Sequence, residues 1–301
     1  MEKIRLVCPS CDSSKIKINK HFFADWEELS EPMYLTTCRK CGLRFFNKIL
    51  SDYQIETLYD DNYFQEDWCW YAKPYEEVWH LRKKDFEAKQ LPWIMTHKKN
   101  GKVIDIGCGG GAIVKAFNDA GYEAIGAELN KNLAEFGIEE LGVNIISIDV
   151  TKKEFVDKFG KFDIIYMSDL IEHLNYPETF LKSMHNLLRD DGLVIIDVPL
   201  VELNRFSSKL RQVYAILRNK DSRFCQYPYH LIFFKPDTLI TLCKNAGYKI
   251  EELKTWKEEV LKEEDFKKMN FKGKIINKLD HFFPKILKKI FDDRAFIVLS
   301  G

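Results

Sequence analysis

Residues 103–112 read VIDIGCGGGA, and this stretch decides the fold of the chain. A run of mostly apolar, β-branched residues leads directly into a cluster of glycines, and a helical pattern follows. Gly107, Gly109 and Gly111 can adopt φ angles that other residues avoid, and the first N–H groups of the helix favour an anionic ligand group. The stretch therefore predicts a strand, a ligand-binding turn and a helix in immediate succession.

Beyond this stretch, apolar β-type runs alternate with amphipathic segments, a pattern typical of a parallel sheet covered by helices. The predicted strands are 102–106, 123–128, 144–148, 162–167, 193–198, 249–256 and 294–300. The predicted helices include 112–120, 132–141, 177–188 and 236–246, with Gly121, Gly142 and Gly247 closing three of them. We therefore expect an α/β fold with a mostly parallel sheet of seven strands and helices on both faces.

The glycines also satisfy a second known pattern. The spacing of Gly107, Gly109 and Ala112, with Glu128 about 20 residues downstream, matches the dinucleotide fingerprint. In that arrangement Glu128 would hold the ribose diol of a nicotinamide cofactor. A nicotinamide-dependent oxidoreductase is therefore one interpretation of the sequence.

Further polar residues favour a positively charged nucleoside instead. Asp105 lies in the strand two residues before Gly107, where a pyrophosphate gains nothing from a carboxylate but an ammonium or sulfonium group does. Asp149 ends the third strand, where it can accept a hydrogen bond from an adenine amino group. The fourth strand leads into another polar cluster, which begins at Ser168. These features predict S-adenosylmethionine as the ligand.

At these residues the sequence resembles the class I S-adenosylmethionine-dependent methyltransferases, especially the branch that acts on small molecules and sugars. The resemblance covers about residues 100–301 and includes Glu172-His173-Leu174 and the stretches 188–192 and 230–236. It implies a Rossmann-like sheet. It also implies the cofactor-binding residues, which are Asp105, Gly107 and Gly109 beside the methionine, Glu128 at the ribose, Asp149 at the adenine, and Cys108, Gly111, Leu129, Val150 and Ser168 around them.

Two Cys-x-x-Cys pairs stand near the N-terminus, Cys8 with Cys11 and Cys38 with Cys41, and 26 residues separate the pairs. This spacing is typical of a two-knuckle ribbon in which four thiolates surround a tetrahedral Zn²⁺ and leave no open position. We expect these four cysteines to hold a structural zinc ion. Free thiols or a redox pair are the alternative.

Differences in residue composition and pattern divide the chain into three regions. They are a zinc-binding ribbon at 1–50, a helical, aromatic-rich connector at 51–100 and the methyltransferase domain at 101–301. The aromatic stretch 59–75 could close over the cofactor as a lid or pack as an ordinary helix. Residues 271–291 carry apolar residues at helical spacing among lysines, so they could touch an anionic membrane peripherally or simply cover the sheet.

Methyl transfer from a sulfonium ion is an in-line displacement, so it needs alignment and a base that removes the acceptor's proton. His230 follows the insertion after the fifth strand, which overhangs the ligand cleft in this fold, and His173 lies just past the fourth strand. We expect His230 to be the base, with His173 as the rival. A structural hydrogen-bonding role is the alternative for each.

The composition bears on the substrate. Lys plus Arg (46) equals Asp plus Glu (46), which argues against a protein that grips many phosphates of a nucleic acid. RNA or nucleic-acid methylation remains an alternative, because zinc ribbons often accompany RNA enzymes.

The N-terminus lacks the apolar core of a signal peptide, so a cytoplasmic enzyme is expected. The leading interpretation is O-methylation of a small-molecule acceptor, a sugar or related metabolite, in surface-glycan or capsule biosynthesis.

Overall fold

A computed structural model describes residues 3–24, 26–59, 75–200, 222–225, 230–256 and 294–301. The chain forms two compact units, each assembled from separated segments. The first unit consists of Met1–Ile49, Val198–Thr241 and Leu253–Phe296, and the second of Leu50–Asp197, Leu242–Glu252 and Ile297–Gly301. The cysteine-bearing N-terminal region therefore belongs to the same unit as residues that follow the fifth core strand.

The described residues contain fourteen strands and eight α-helices. The strands are β1 (Lys3–Ile4), β2 (Ile16–Ala24), β3 (Met33–Cys38), β4 (Arg44–Phe46), β5 (Lys48–Ile49), β6 (Lys102–Ile106), β7 (Glu123–Glu128), β8 (Ile145–Ser147), β9 (Phe162–Ser168), β10 (Leu188–Pro199), β11 (Ser222–Cys225), β12 (Ile232–Phe233), β13 (Lys249–Trp256) and β14 (Arg294–Ser300). The helices are α1 (Asp52–Leu58), α2 (Tyr75–Lys89), α3 (Leu91–His97), α4 (Ala112–Asp119), α5 (Lys131–Leu141), α6 (Lys153–Lys158), α7 (Pro177–Met184) and α8 (Pro236–Asn245).

The large sheet has seven strands among the described residues, in the order β13-β14-β10-β9-β6-β7-β8. β6 pairs in parallel with β7 and β9, β10 pairs in parallel with β9, and β8 pairs in parallel with β7. Every residue of β9 is buried, as expected for a strand covered on both faces. The predicted α/β fold with a mostly parallel seven-stranded sheet is confirmed.

Two boundaries differ from the sequence prediction by more than one residue. Helix α7 ends at Met184 rather than at 188, and β10 begins at Leu188 rather than at 193. The reason is that the Phe162 N–H donates to the Leu187 carbonyl at 2.8 Å, so the chain here already belongs to the sheet. The pairing between β10 and β9 then shifts register before Leu193.

The first unit contains a second sheet, which has five strands in the described part of the chain, in the order β11-β2-β3-β4-β12. β2, β3, β4 and β12 pair antiparallel in sequence, and β11 pairs in parallel with β2. Strands β1 and β5 form a separate antiparallel pair. The core of the first unit includes the fully buried side chains of Met33, Leu43, Phe45 and Phe46.

Within the described ranges, no helix combines the length and the apolar character that crossing a bilayer requires. The segment 271–291 and most of the aromatic stretch 59–75 lie outside the described residues. The expected membrane contact and lid, and the division at residues 50 and 100, stay predictions.

Candidate active site

The glycine turn lies between β6 and α4. Gly107, Gly109 and Gly111 have φ angles of 72°, 56° and 80°, in the left-handed region that favours glycine. The N–H groups of Gly107 and Cys108 both donate to the Ala127 carbonyl, at 2.8 and 3.2 Å. The turn is thereby held against the end of β7, and Gly111 forms the N-cap of α4.

Cys108 fills the space beneath this turn. Its side chain is buried, and a methyl group added at Gly126 would overlap its Sγ atom. Burial raises the pKa of the Cys108 thiol well above its usual value. Because the thiolate is the nucleophilic form, Cys108 serves packing rather than covalent chemistry.

Asp105 is the most unusual group at this edge of the sheet. It is 1% exposed, and its Oδ2 atom has no hydrogen-bond partner in the described part of the chain. Burial raises the pKa of Asp105 to about 7, with Arg82 opposing the rise and Glu128 adding to it. Burial of a carboxylate oxygen without a hydrogen-bond partner costs free energy, and a nearby cationic group would offset that cost.

Glu128, at the end of β7, is half-buried and ties two loops together. Its Oε2 atom accepts from the Gly109 N–H at 2.8 Å, and its Oε1 atom accepts from the Asn130 N–H at 2.9 Å. Asn130 in turn caps α5 by accepting from the Leu133 N–H at 3.0 Å. The carboxylate is therefore fixed in place beside the glycine turn, with Leu129, also half-buried, next to it.

Asp149 and Val150 follow β8. Asp149 Oδ1 accepts from the Thr151 N–H at 2.9 Å and from the Thr151 hydroxyl at 2.7 Å, which is a local turn of the kind that aspartate commonly forms. Its Oδ2 atom lies 3.7 Å from Lys152 Nζ. Asp149 thus stabilises its own loop, and Val150 is buried beside it.

The end of β9 carries a strained residue. Asp169 has a φ of 52°, which is uncommon for a residue other than glycine. Its N–H donates to the Asp197 carbonyl at 3.0 Å, and the Ser168 hydroxyl donates to its Oδ2 atom at 3.1 Å. These contacts hold the Asp169 carboxylate at the carboxyl edge of the sheet.

Helix α2 contributes Tyr75, the last residue of the aromatic stretch 59–75, and Arg82, which the sequence did not single out. The Ala112 N–H donates to the Tyr75 hydroxyl at 3.1 Å, and the Tyr75 ring covers Gly110 so closely that an added methyl group would overlap it. Arg82 Nη2 lies 3.8 Å from Asp169 Oδ2, and its charge opposes the rise that burial causes in the pKa of Asp105. Tyr75 and Arg82 are seven residues apart and share a helix face, a spacing that could have revealed them.

The structure places the two candidate bases in different units. His173, in the second unit, has Nδ1 2.7 Å from the Tyr59 hydroxyl and Nε2 3.6 Å from Glu172 Oε1. The short contact between Nδ1 and the Tyr59 hydroxyl orients the ring, and the Glu172 carboxylate lies near its other nitrogen. His230, in the first unit, directly precedes Leu231 and β12 and is half-buried.

The four predicted metal ligands come together in the first unit. The Sγ atoms of Cys8, Cys11, Cys38 and Cys41 all lie within 4.8 Å of one another, with Cys8 3.6 Å from Cys41 and Cys11 3.7 Å from Cys38. Tetrahedral zinc with Zn–S bonds of about 2.3 Å separates its sulfur ligands by about 3.8 Å. The four sulfur atoms therefore fit a zinc ion.

The two knuckles have matching backbone geometry. The Asp12 N–H donates to the Cys8 carbonyl at 3.1 Å and the Gly42 N–H to the Cys38 carbonyl at 3.0 Å, and both residues have positive φ angles, 50° and 81°. Burial opposes ionisation of Cys38, but N–H groups of Cys41 and Lys40 lower the pKa of its thiol to about 7. A thiolate is thus available as a metal ligand.

The strand order and the acidic, glycine-rich edge of the large sheet define a class I methyltransferase that takes its methyl group from S-adenosylmethionine. A family model described as "Methyltransferase domain" matches residues 75–253. The chain belongs to this family and is an S-adenosylmethionine-dependent methyltransferase. This excludes the nicotinamide-dependent oxidoreductase as the interpretation of the glycine turn.

Similar proteins agree with this assignment. The chain is 28% identical over 170 residues to a "Ubiquinone biosynthesis O-methyltransferase" of Glaesserella parasuis serovar 5, covering 52% of this chain and 70% of the relative. It is 27% identical over 169 residues to the Actinobacillus pleuropneumoniae serotype 7 protein of that name, covering 52% and 71%. A crystal structure of an S-adenosylmethionine-dependent methyltransferase from Archaeoglobus fulgidus has the same fold, with a TM-score of 0.51, 19% identity and coverage of 75% of this chain and 100% of that one.

Proposed function

We propose that this enzyme transfers the methyl group of S-adenosylmethionine to a hydroxyl oxygen of a small-molecule acceptor, a sugar or a related metabolite of surface-glycan biosynthesis. The buried carboxylate of Asp105 is the observation that carries the donor site. The names of the two relatives support oxygen as the acceptor atom. The balanced charge of the chain supports a small molecule rather than a nucleic acid.

S-adenosylmethionine, when bound, supplies an activated methyl group on a sulfonium ion. Asp105 would pair with the ammonium group of its amino-acid end, because its buried Oδ2 atom has no hydrogen-bond partner in the described residues. Arg82 would pair with the carboxylate of the same end, because it is a cation beside Asp105 and Asp169. Gly107 and Gly109 would let the backbone approach the ligand, as would Gly111.

The remaining donor residues would hold the nucleoside. Glu128 is already oriented by two N–H groups and keeps lone pairs for the ribose hydroxyls. Asp149 Oδ2 would accept from the adenine amino group while Oδ1 keeps its own turn closed. The same site would be lined by the sequence neighbours of Glu128 and Asp149, which are Leu129 and Val150, and by Ser168 at the end of β9.

For proton removal we propose His230 as the base and His173 as a positioning residue. The Tyr59 hydroxyl already orients the ring of His173, so His173 is suited to a fixed hydrogen-bonding role. Replacing His230 by Gln is expected to lower kcat for the acceptor by about 100-fold or more. An unchanged kcat would remove His230 from this role.

We also propose that Cys8, Cys11, Cys38 and Cys41 hold a structural Zn²⁺. The measured sulfur separations support this ligand set. Cys38→Ser should abolish binding of one zinc per chain, as measured by metal analysis, whereas Cys243→Ser, at a buried cysteine in α8, should keep it. Zinc retained at full occupancy in Cys38→Ser would contradict the site.

The acceptor is tested by following radioactive methyl transfer from S-adenosylmethionine to a panel of sugars, nucleotide sugars, phenols and RNA. Transfer to a sugar hydroxyl supports the proposal, and transfer to RNA alone overturns it. A phenol is the second candidate acceptor, because both relatives are named for ubiquinone biosynthesis. Base-stable methyl groups on the product would distinguish an ether from an ester.

A further inference from the structure

Strand β12 begins two residues after His230, and β4 supports it. In the five-stranded sheet as described, β12 is an outer strand, and its one neighbour is β4. The registered pairs are Ile232 with Phe45 and Phe233 with Arg44. A strand of two residues has no stability of its own, so its position depends on the pairing with β4 and on the parallel bridge between the next residue, Phe234, and Leu200.

Two further contacts join the segment after His230 to β4. The Phe46 N–H donates to the Leu231 carbonyl at 2.9 Å. The rings of Phe46 and Phe233 meet edge to face, with centroids 5.5 Å apart. Leu231 is the residue next to His230, so these contacts fix the backbone one residue away from the candidate base.

Strand β4 is in turn held by the second cysteine knuckle. Cys38 is the last residue of β3, and Cys41 lies three residues before β4. The Cys38 N–H donates to the Leu43 carbonyl at 2.8 Å, which closes the hairpin over the knuckle. A metal ion bound by Cys38 and Cys41 therefore clamps the turn from which β4 starts.

From this continuous chain of contacts, we propose that metal occupancy of the four-cysteine site positions His230 through β4 and β12, and so controls acceptor turnover without controlling donor binding. The zinc module is then part of the acceptor machinery rather than a separate stabilising tag. This inference rests on the proposed roles of the cysteines and of His230. The residues between the metal site and His230, in particular Phe46 and Phe233, are positioning residues.

Hydrogen exchange of the full-length protein tests the structural part directly. Zinc-loaded and chelator-treated samples are compared, with peptides covering residues 43–46, 230–235 and 102–106. Zinc removal should speed exchange at 43–46 and 230–235 by about tenfold or more and leave 102–106 unchanged. Equal exchange at 230–235 in the two samples would overturn the inference.

The variant Phe233→Leu tests the path of contacts from β4 to β12, here called the relay, separately from metal binding. It removes the ring contact between Phe46 and Phe233 and leaves the cysteines and β4 intact. This variant should keep its zinc, show faster exchange at 230–235 and have a kcat about tenfold lower, with an unchanged Kd for S-adenosylhomocysteine. The matched control is Phe155→Leu, a fully buried phenylalanine in α6 of the second unit, which should leave exchange at 230–235 unchanged. Slow exchange at 230–235 in Phe233→Leu would count against the relay.

Activity separates this inference from the proposed function. If the zinc-loaded enzyme methylates no small-molecule acceptor but zinc still controls exchange at 230–235, the proposed acceptor chemistry fails and the link from metal to β12 stands. If methyl transfer occurs and chelation lowers kcat and donor affinity in parallel, the inference fails while the proposed function survives.

Discussion

Two buried aspartates of the large sheet differ in what surrounds their carboxylates. Asp163, at the start of β9, accepts from the Lys102 N–H at 2.8 Å and from Arg189 Nη1 at 3.0 Å. Although burial opposes its ionisation, the Lys102 N–H and the cations Lys98 and Arg189 hold the pKa of Asp163 below its usual value. Asp105 has no such partners for Oδ2 within the described chain, and its pKa is raised. One carboxylate stabilises the fold and the other is available to a ligand.

Asp105→Asn should weaken binding of S-adenosylhomocysteine by about 100-fold, because a charge-assisted contact to the ammonium group is lost. The same change should not lower the melting temperature at pH 8, because it removes a buried charge. Calorimetric titration and thermal unfolding measure the two effects. The matched control, Asp163→Asn, should do the opposite: it should cost about 1–3 kcal/mol of folding free energy and leave the affinity unchanged. Equal destabilisation by both variants would contradict the ligand role of Asp105.

The pKa of Asp105 also sets a pH dependence. The carboxyl is protonated below about pH 7 in the free protein, and only the carboxylate pairs with a cation. Affinity for S-adenosylhomocysteine should therefore fall about tenfold between pH 8 and pH 6, with proton release on binding at pH 6. The free energy of unfolding depends on pH in the opposite direction from the ligand affinity. Because the folded pKa is raised, this group favours folding at acidic pH, and that contribution is lost as the pH rises from about 4 to 7. Asp105→Asn should flatten both profiles.

At the scale of elements, helix α2 packs against the glycine turn through one face. Tyr75 covers the turn, and Phe86 packs against Phe117 and Tyr166 with ring centroids 5.1 and 5.4 Å apart. The hydrophobic periodicity and the glycines at helix ends predicted the strands and most helices of the large sheet, because those signals are local in the sequence. They did not predict the docking of α2, because it depends on which helix face meets a turn some 30 residues later in the chain. For the same reason, the pairing of β12 with β4 could not be predicted from the sequence.

Gly110→Ala tests this docking. The added methyl group would overlap the Tyr75 ring, so we expect a loss of about 1–3 kcal/mol in the free energy of unfolding and weaker binding of S-adenosylhomocysteine. Gly160→Ala is the matched control, since a methyl group added there has no atom of the described residues within 4 Å. A neutral Gly110→Ala would mean that Tyr75 does not rest on the turn in solution.

At the scale of the whole molecule, the residues proposed for the donor site lie in the second unit, and the four clustered cysteines lie in the first. The motifs predicted the large sheet and the clustering of the four cysteines, and the ligands of both sites stay predictions. The motifs could not predict that residues after β10 join the N-terminal sheet, because pairing between segments about 185 residues apart leaves no local signal in one sequence. The identity of the acceptor also stays a prediction, because a binding site built from residues far apart in the chain leaves no local signal in one sequence.

A ligand that binds only the folded second unit should stabilise that unit. At a concentration 100-fold above Kd, S-adenosylhomocysteine should add about 2.7 kcal/mol to its free energy of unfolding. Urea unfolding followed by hydrogen exchange at residues 102–106 measures this gain. A gain near zero at saturating ligand would show that the donor site lies elsewhere.

The position of β14 has a consequence for synthesis in the cell. Residues 294–300 lie between β10 and β13, so a ribosome that has polymerised only the first 293 residues has not yet made an interior strand of the sheet. Until that segment leaves the exit tunnel, β10 and β13 lack a neighbour and expose unpaired backbone groups. The nascent chain therefore completes its sheet only after residues 294–300 have left the exit tunnel, and until then the exposed strand edges favour aggregation.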